Sequence, residues 1–268
     1  MSDSLIIQDL YVYPIKSLAG IRHKEATVEE RGFELDRRWM LINENGQFLS
    51  QRTFPQMALV KVEIEAESLK VFHIASPTDF VRIPIDEEGE KISSVTVWDD
   101  EMPARMVSSN ADEWFSKMLG TNVRIVKMPL STERKVDPRY AVNKESVSFA
   151  DGMPYLLIGQ KSLDELNSKL DDAVPMNRFR PNIVFSGGDA FSEDTWGKIQ
   201  IGEVDFQVVK PCARCVMVTV DQTTGDKAAE PLKTLAEFRK EGNKILFGQN
   251  MVALSNGIIK VGDKLKLK

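Results

Sequence analysis

Short runs in which apolar and polar residues alternate recur along the whole chain, and a period of two marks strands. The first run covers residues 4–12. A second, Arg38-Trp39-Met40-Leu41-Ile42, leads into Asn45-Gly46, a pair that favours a tight hairpin turn, from which Phe48 and Leu49 return. The same pattern predicts strands over 59–64, 69–74, 95–98 and 123–128. In the second half it predicts them over 155–158, 182–186, 206–209, 216–220 and 258–267, the last folded into a hairpin about Gly262-Asp263. Helical spacing appears in three places. Asn110 with Glu113 reads as a helix start, Trp114, Phe115, Met118 and Leu119 as one apolar face, and Gly120 as its stop. Ser162 with Glu165 reads as a capping box before Leu163, Leu166 and Leu170. Leu232, Leu235 and Phe238 mark a third helix that ends near Gly242. Residues 129–145 are polar, with little periodicity, and read as a linker. The expected organisation is a domain over 1–128, the linker, and a domain over 146–268. Many short strands with few helices predict a mixed α+β, β-rich fold, barrel-like cores with peripheral helices.

Composition narrows the function. A chain of 268 residues is long enough for a sizeable core. Its formal net charge of −5 argues against a general nucleic-acid coat, so local basic clusters need their own explanation. No apolar run reaches the roughly 20 residues of a membrane span, and Met1-Ser2-Asp3-Ser4 lacks the basic-then-apolar start of a secretory signal. The 2 cysteines lie three positions apart and cannot make a long-range disulfide within the chain, which fits a reducing, cytoplasmic setting. His23 and His73 are isolated and match no zinc-protease or Ser-His-Asp pattern.

The most reactive-looking segment is Lys210-Pro211-Cys212-Ala213-Arg214-Cys215. Thiolate is the nucleophilic and metal-binding form of cysteine, and neighbouring cations such as Lys210 and Arg214 favour it. Several chemistries remain open. A thioredoxin-type pair normally opens a helix, whereas residues 216–220 look strand-like. Structural zinc needs four ligands, and the chain has no second cysteine pair. One thiolate on a soft or high-valent metal needs only a cofactor to complete the ligand set. Two buried cysteines used as small hydrophobes need nothing more. Basic residues recur at strand edges: Lys16-Ser17, Asp36-Arg37-Arg38, Gln51-Arg52, and Arg178-Phe179-Arg180-Pro181-Asn182 before an apolar run that ends at Gly187-Gly188. Guanidinium forks and lysine suit phosphate, and each cluster is equally a set of surface charges until a fold brings them together.

Ordered along the chain, these segments resemble a known family. Tyr13-Pro14-Ile15-Lys16-Ser17, Asp36-Arg37-Arg38-Trp39, Phe149-Ala150-Asp151 and Asn177-Arg178-Phe179-Arg180-Pro181-Asn182-Ile183-Val184 are followed by Glu193-Asp194-Thr195-Trp196 and Cys212-Ala213-Arg214-Cys215. Then come Val220-Asp221-Gln222-Thr223-Thr224-Gly225, Leu246-Phe247-Gly248-Gln249 and Ile259-Lys260-Val261-Gly262-Asp263. The chain resembles MOSC-domain proteins with an N-terminal MOSC β-barrel domain, and within them the amidoxime-reducing components and their bacterial relatives. The resemblance implies a molybdenum–molybdopterin cofactor with Cys215 as metal ligand. Lys16, Ser17 and Arg37 match positions that grip the pterin. Asp151, Arg180 and Asn182 match positions lining the same pocket from the second half, with Arg52, Arg178 and Ala213 beside them. Relatives often have asparagine where this chain has Arg178 and serine where it has Ala213, so one cofactor hydrogen bond is lost or taken over by backbone or arginine.

The implied activity is two-electron reduction of N-hydroxylated small molecules, releasing amine and water, with Cys215 as catalytic ligand and Asp221 as a proton or hydrogen-bond partner. A turn-capping role suits Asp221 equally. Some bacterial relatives add an iron–sulfur domain, which needs cysteines this chain does not have to spare. An external donor is therefore expected, a flavoprotein reductase or an iron–sulfur or haem protein. The resemblance also admits a cofactor carrier, a persulfide sulfur carrier on Cys215, and domain-level pyridoxal phosphate binding.

Overall fold

The computed structural model describes residues 4–86, 89 and 91–268 of the chain. The reading of the N-terminus rests partly on residues 1–3, which lie outside that set. Among the described residues, a nine-stranded sheet carries most of the second half. Its path runs Leu265–Leu267, Lys198–Ile201, Val204–Arg214, Lys244–Ala253, Tyr155–Gly159, Ile183–Ser186, Ile6–Val12 and Ile21–His23, and Lys240–Glu241 pairs with Lys244–Ala253. A four-stranded sheet orders Trp39–Ile42, Arg124–Lys127, Asp100–Met106 and Ile92–Val97, and Val60–Ile64, Ser68–His73 and Ser76–Pro84 form a meander. The fold is mixed α+β and β-rich, as the alternating pattern predicts, with three α-helices among the described residues: α1 (Ser109–Leu119), α2 (Gln160–Asn167) and α3 (Leu232–Phe238). No described helix is long and apolar enough to cross a membrane.

The two halves interleave. Strand Ile6–Val12 pairs antiparallel with Ile183–Ser186, and Gly257–Lys260 pairs with Glu25–Glu29. Residues of these strands and their neighbours form one core: Leu10, Phe33, Tyr155, Phe185 and Phe206 are all buried, and the Tyr155 ring meets Phe33 and Phe206 edge-on. Each such aromatic contributes about 2–3 kcal/mol on burial. A second core, under Leu41, Val71, Phe115 and Ile125, belongs to the first half. Residues 129–145 are packed rather than free. Val136 joins a cluster with Val147, Ala150, Met153 and Val252, and Arg134 is buried.

Several local expectations are corrected. Helix α1 is capped by Ser108, whose side chain accepts from the Ala111 amide, two positions before Asn110; Gly120 does end it in a left-handed conformation. Helix α2 begins before Ser162, so no capping box forms, and the Ser162 hydroxyl instead bonds the buried Glu193 carboxylate at 2.8 Å. Residues Val216–Thr219 form a single 3-10 turn, not a strand. The terminal strands make no hairpin about Gly262-Asp263, because Leu265–Leu267 pairs with Lys198–Ile201. At the α1 start a stronger local cap lies two residues upstream, whereas for Ser162 and the C-terminal strand distant partners override the local signal.

Strand Val204–Arg214 carries the cysteine segment against Lys244–Ala253, and its register shifts twice, between Val208 and Lys210 and between Pro211 and Ala213. Such irregularities re-aim side chains at a sheet edge. Gly248 sits opposite them at φ +79°, where a Cβ would come within 2.9 Å of the Leu157 carbonyl and 2.7 Å of Ile158. Gly248→Ala is expected to lower stability by about 2 kcal/mol or more, read as a lower urea midpoint; an unchanged midpoint would show that the strand pair yields freely there.

Candidate functional site

Three non-glycine residues with left-handed backbone stand on one cleft: Ser17 (φ 68°), Arg37 (φ 50°) and Arg180 (φ 54°). Each costs roughly 1 kcal/mol or more and persists only where surrounding bonds over-determine it. Here the Lys16 amide donates to the Trp39 carbonyl (2.8 Å), the Arg37 amide to the Tyr13 carbonyl (2.7 Å), and the Gln51 side-chain amide to the Ser17 carbonyl (2.8 Å). The cleft encloses about 430 Å³ and is lined by nine cations (Lys16, Arg37, Arg52, Arg139, Arg178, Arg180, Lys210, Arg214 and Lys244) against one carboxylate, Asp151. In a chain of net charge −5 this is a strong local concentration of positive charge.

The inner wall is built on Tyr13. Its hydroxyl donates to the Pro181 carbonyl (3.0 Å), and the Arg37 and Arg180 guanidiniums each lie 4.4 Å from its ring centroid. Asp36 accepts from the Tyr13 amide (2.8 Å) and pairs with Arg37 (2.5 Å), which also donates to Asn182 Oδ1 (3.2 Å). Arg180 differs from its neighbour. It is only 8 % exposed, yet no hydrogen bond or ion pair with a described residue holds its guanidinium. Burial pushes its pKa down to about 10, a partial relief from an unpaired buried charge. A second cavity of about 120 Å³, lined by Tyr13 among others, shares Arg180 with the cleft.

Lys16 comes from the first half and Asp151 from the second; their charged atoms are 2.5 Å apart, and Lys16 also donates to the Phe149 carbonyl (2.7 Å). Burial lowers the Lys16 pKa to about 8, against the opposing pull of Asp151. Burial also acts to raise the Asp151 carboxyl, but Lys16 and Arg52 outweigh it and hold the group well below the usual carboxylate range. Arg52 reaches Asp151 at 3.0 Å, lies 4.6 Å from the Trp98 ring centroid, and has its own pKa raised, against burial, by Asp151 and by the Cys215 sulfur.

Cys215 is exposed and Cys212 half-buried, both as free thiols. The cation beside Cys215 is thus Arg52, from the other half of the chain. Arg214 turns to Cys212 Sγ (2.8 Å) and to the Phe179 carbonyl, and Lys210 senses Cys212 while lying 4.1 Å from the Tyr140 ring centroid. Of the residues singled out in sequence, Cys215, Lys16, Ser17, Arg37, Arg52, Asp151, Arg178, Arg180, Asn182 and Ala213 all line this one cleft.

Asp221 is not on the lining. One of its oxygens accepts from the Thr223 and Thr224 amides and the Thr223 hydroxyl, and the other pairs with Arg178 at 2.7 Å. The Thr223 bonds and Arg178 hold its carboxyl low. Asp221 thus caps its own turn and anchors Arg178, which does line the cleft.

Sequence reading missed two supports. Arg134 donates to the Ser148, Ala150 and Asp151 carbonyls and fixes the Asp151 segment; it lies in a stretch whose polarity concealed it. The buried Gln51–Gln222 amide pair (2.9 Å) ties the Ser17 turn to the Val220 carbonyl, and adjacency to Arg52 and Asp221 was its only signal.

Residues 4–122 match the family model of the MOSC N-terminal beta barrel domain, and residues 144–266 match that of the MOSC domain. The chain is 32% identical over 279 residues to "Mitochondrial amidoxime-reducing component 1" of Mus musculus, covering 97% of this chain and 82% of that protein. Its Homo sapiens counterpart is 31% identical over 281 residues, with the same coverage of each chain. "Molybdenum cofactor sulfurase" of Oryza sativa subsp. japonica is 31% identical over 262 residues, covering 90% of this chain but only 32% of that longer protein. Identity at this level across nearly the whole chain, with both domain models matched in order, shows that the chain belongs to the MOSC-domain family with an N-terminal MOSC beta barrel domain, which includes the mitochondrial amidoxime-reducing components.

Proposed function

We propose that this chain is a molybdenum-cofactor-dependent reductase of N-hydroxylated small molecules, with Cys215 as the protein ligand to the metal. The observation that carries the reading is the placement of one exposed thiol in the same cleft as a buried, unpaired guanidinium, Arg180. An unpaired buried cation is expensive unless an anion completes it. The residues fit a molybdenum–pterin group on that ground: thiolate suits the metal, and the cationic inner wall suits the pterin phosphate. Its relatives include proteins named for amidoxime reduction and for molybdenum cofactor sulfuration, which agrees with this chemistry.

In this reading Lys16, Ser17, Arg37, Arg180 and Asn182 hold the anionic and polar parts of the cofactor. Arg178, in the place where relatives often have asparagine, adds a donor whose direction Asp221 sets. When bound, the molybdenum–pterin group supplies the two-electron chemistry that removes the N-hydroxyl oxygen as water. The protein does the rest. Arg52 places a positive charge beside the Cys215 sulfur. Asp151, ionised between Lys16 and Arg52, spaces the two cations and accepts rather than gives hydrogen bonds. Electrons come from a separate redox protein of flavin, iron–sulfur or haem type, and we place the protein in the cytoplasm.

The test is protein made in a cofactor-competent host. About one molybdenum per chain, with reduction of benzamidoxime by a chemical donor but not by a nicotinamide nucleotide alone, is the expected result. Stoichiometric molybdenum without turnover would instead make the chain a carrier. The exposed Cys215 and the sulfurase relative favour one second reading, a persulfide carrier. An added sulfur on Cys215 by mass spectrometry, with no molybdenum, would replace the reductase reading with that one.

A further inference from the structure

Most cations lining the cleft are committed. Arg37 pairs with Asp36, Lys16 and Arg52 with Asp151, Arg178 with Asp221, and Arg139 with Asp137 at 2.6 Å; Arg214 is spent on Cys212 and the Phe179 carbonyl. Three make no close ion pair with a carboxylate among the described residues: Arg180, Lys210 and Lys244, although Asp137 acts on Lys210 from farther off. They fall in two separate places. The charged environment of Arg180 is set by Tyr13, Arg37, Asp151 and Asp36. That of Lys210 is set by Asp137, Cys212, Lys244 and Arg139. Arg180 lies over the Tyr13 ring and Lys210 over the Tyr140 ring.

The cleft thus has an inner and an outer demand for negative charge, and a single pterin phosphate meets one of them. The outer one is built from three elements. Lys210 lies at the first register shift of Val204–Arg214, on the strand that leads to the cysteines, and pairs in register with Asn250. Lys244 begins the neighbouring strand Lys244–Ala253. Tyr140, half-buried, comes from the packed 129–145 segment and lies under the Lys210 ammonium at 4.1 Å. Burial works most strongly against the Lys210 cation; Asp137 and Cys212 partly offset it, and the like charges of Lys244 and Arg139 add to it, so an anion set between Lys210 and Lys244 would be held by direct attraction and by relief of their mutual repulsion. Tyr140 adds a flat face beside the charge, suited to an aromatic or heteroaromatic body.

We infer that Lys210, Lys244 and Tyr140 form a substrate subsite that takes a carboxylate or phosphate carried by a planar N-hydroxylated molecule. The inference rests on the reductase reading and names the substrate class for the same cleft. The enzyme then prefers anionic N-hydroxylated aromatics to neutral ones of the same reactivity, and the preference lies in KM, because a charge remote from the N–O bond contributes to binding in ground and transition states alike.

The experiment compares benzamidoxime with 4-carboxybenzamidoxime, and N4-hydroxycytidine with its 5′-monophosphate, on the molybdenum-loaded protein. The wild type should favour each anionic member by about tenfold or more in kcat/KM, with the advantage shrinking as salt is raised. The larger advantage, in the carboxylate pair or the phosphate pair, identifies the natural substituent. Lys210→Gln/Lys244→Gln should abolish the preference through KM, leaving kcat and molybdenum content within about twofold of wild type, and Lys210→Arg should retain it. Equal kcat/KM for neutral and anionic members in the wild type, or an undiminished preference in the double variant, would overturn the subsite. So would loss of molybdenum from the double variant, which would assign the lysines to the cofactor. Calorimetric titration of the same probes separates the two readings. If the wild type reduces none of them yet binds the anionic members more tightly, and the double variant does not, the reductase reading fails and the subsite stands.

Discussion

Protein carrying Cys215→Ala should emerge from a cofactor-competent host folded and without molybdenum. The side chain is exposed and Cys215 stands just past the last paired residue of its strand, Arg214, so thermal unfolding should shift by no more than a surface substitution does, about 0.5 kcal/mol. Metal content and benzamidoxime reduction should both fall at least about a hundredfold, more than losing a supporting group around a metal ligand would cost. Cys212→Ala is the internal control. That sulfur is occupied by Arg214 and should be dispensable for metal content. Full molybdenum and full activity in the Cys215 variant would remove the metal-ligand assignment. Equal losses in both variants would show that the pair acts together.

Arg180→Met carries the second large effect, and its two consequences have opposite signs. Without cofactor the guanidinium is buried and unpaired, so an apolar side chain of similar length should stabilise the apo protein by about 1 kcal/mol or more. The same change removes the inner anion partner, so retained cofactor should drop about a hundredfold. The stability gain also has a pH signature. Burial holds the folded-state pKa near 10, below the ordinary arginine value. Because burial disfavours the charged form in the folded protein but not in the unfolded chain, the gap to Arg180→Met should narrow as pH rises. Urea unfolding of protein from a cofactor-deficient host measures the first effect, and pterin content of protein from a competent host the second. A less stable apo variant with undiminished pterin would refute the anion role of Arg180.

Much of this site was legible in the sequence, for reasons that differ by residue. Lys16, Ser17, Arg37, Arg180 and Asn182 stand at strand ends beside aromatic or proline residues, so their ordered motifs survive as local text even though the cleft joins segments far apart. The class of fold was legible because alternation reports strands directly. What stayed hidden depends on long-range pairing. Residues Val216–Thr219 have a strand-like composition, but Cys215 leads them into a turn. Ser162 looks like a cap and is claimed by Glu193, which is distant in sequence. Arg134 looks like one more charge in a polar stretch until its carbonyl partners around Asp151 are known. The charge around the cysteines was anticipated, but its owner was not. Arg52, not Lys210 or Arg214, faces Cys215, because two strand irregularities turn the segment toward the first half.

The interleaving of the two halves has a consequence for biosynthesis. Strand Ile6–Val12 leaves the ribosome early, but its partner Ile183–Ser186 emerges only after most of the chain has been made. Until then its backbone donors and acceptors on that edge have no native mate, which leaves the nascent polypeptide adhesive for much of translation. Closure of so distant a pair is slow, and Tyr13 and Lys16, just beyond that strand, can take up their places only when it completes. Maturation of the pocket is therefore a late, post-translational event, and growth temperature and chaperone supply should govern the yield of active molecules more than transcription does.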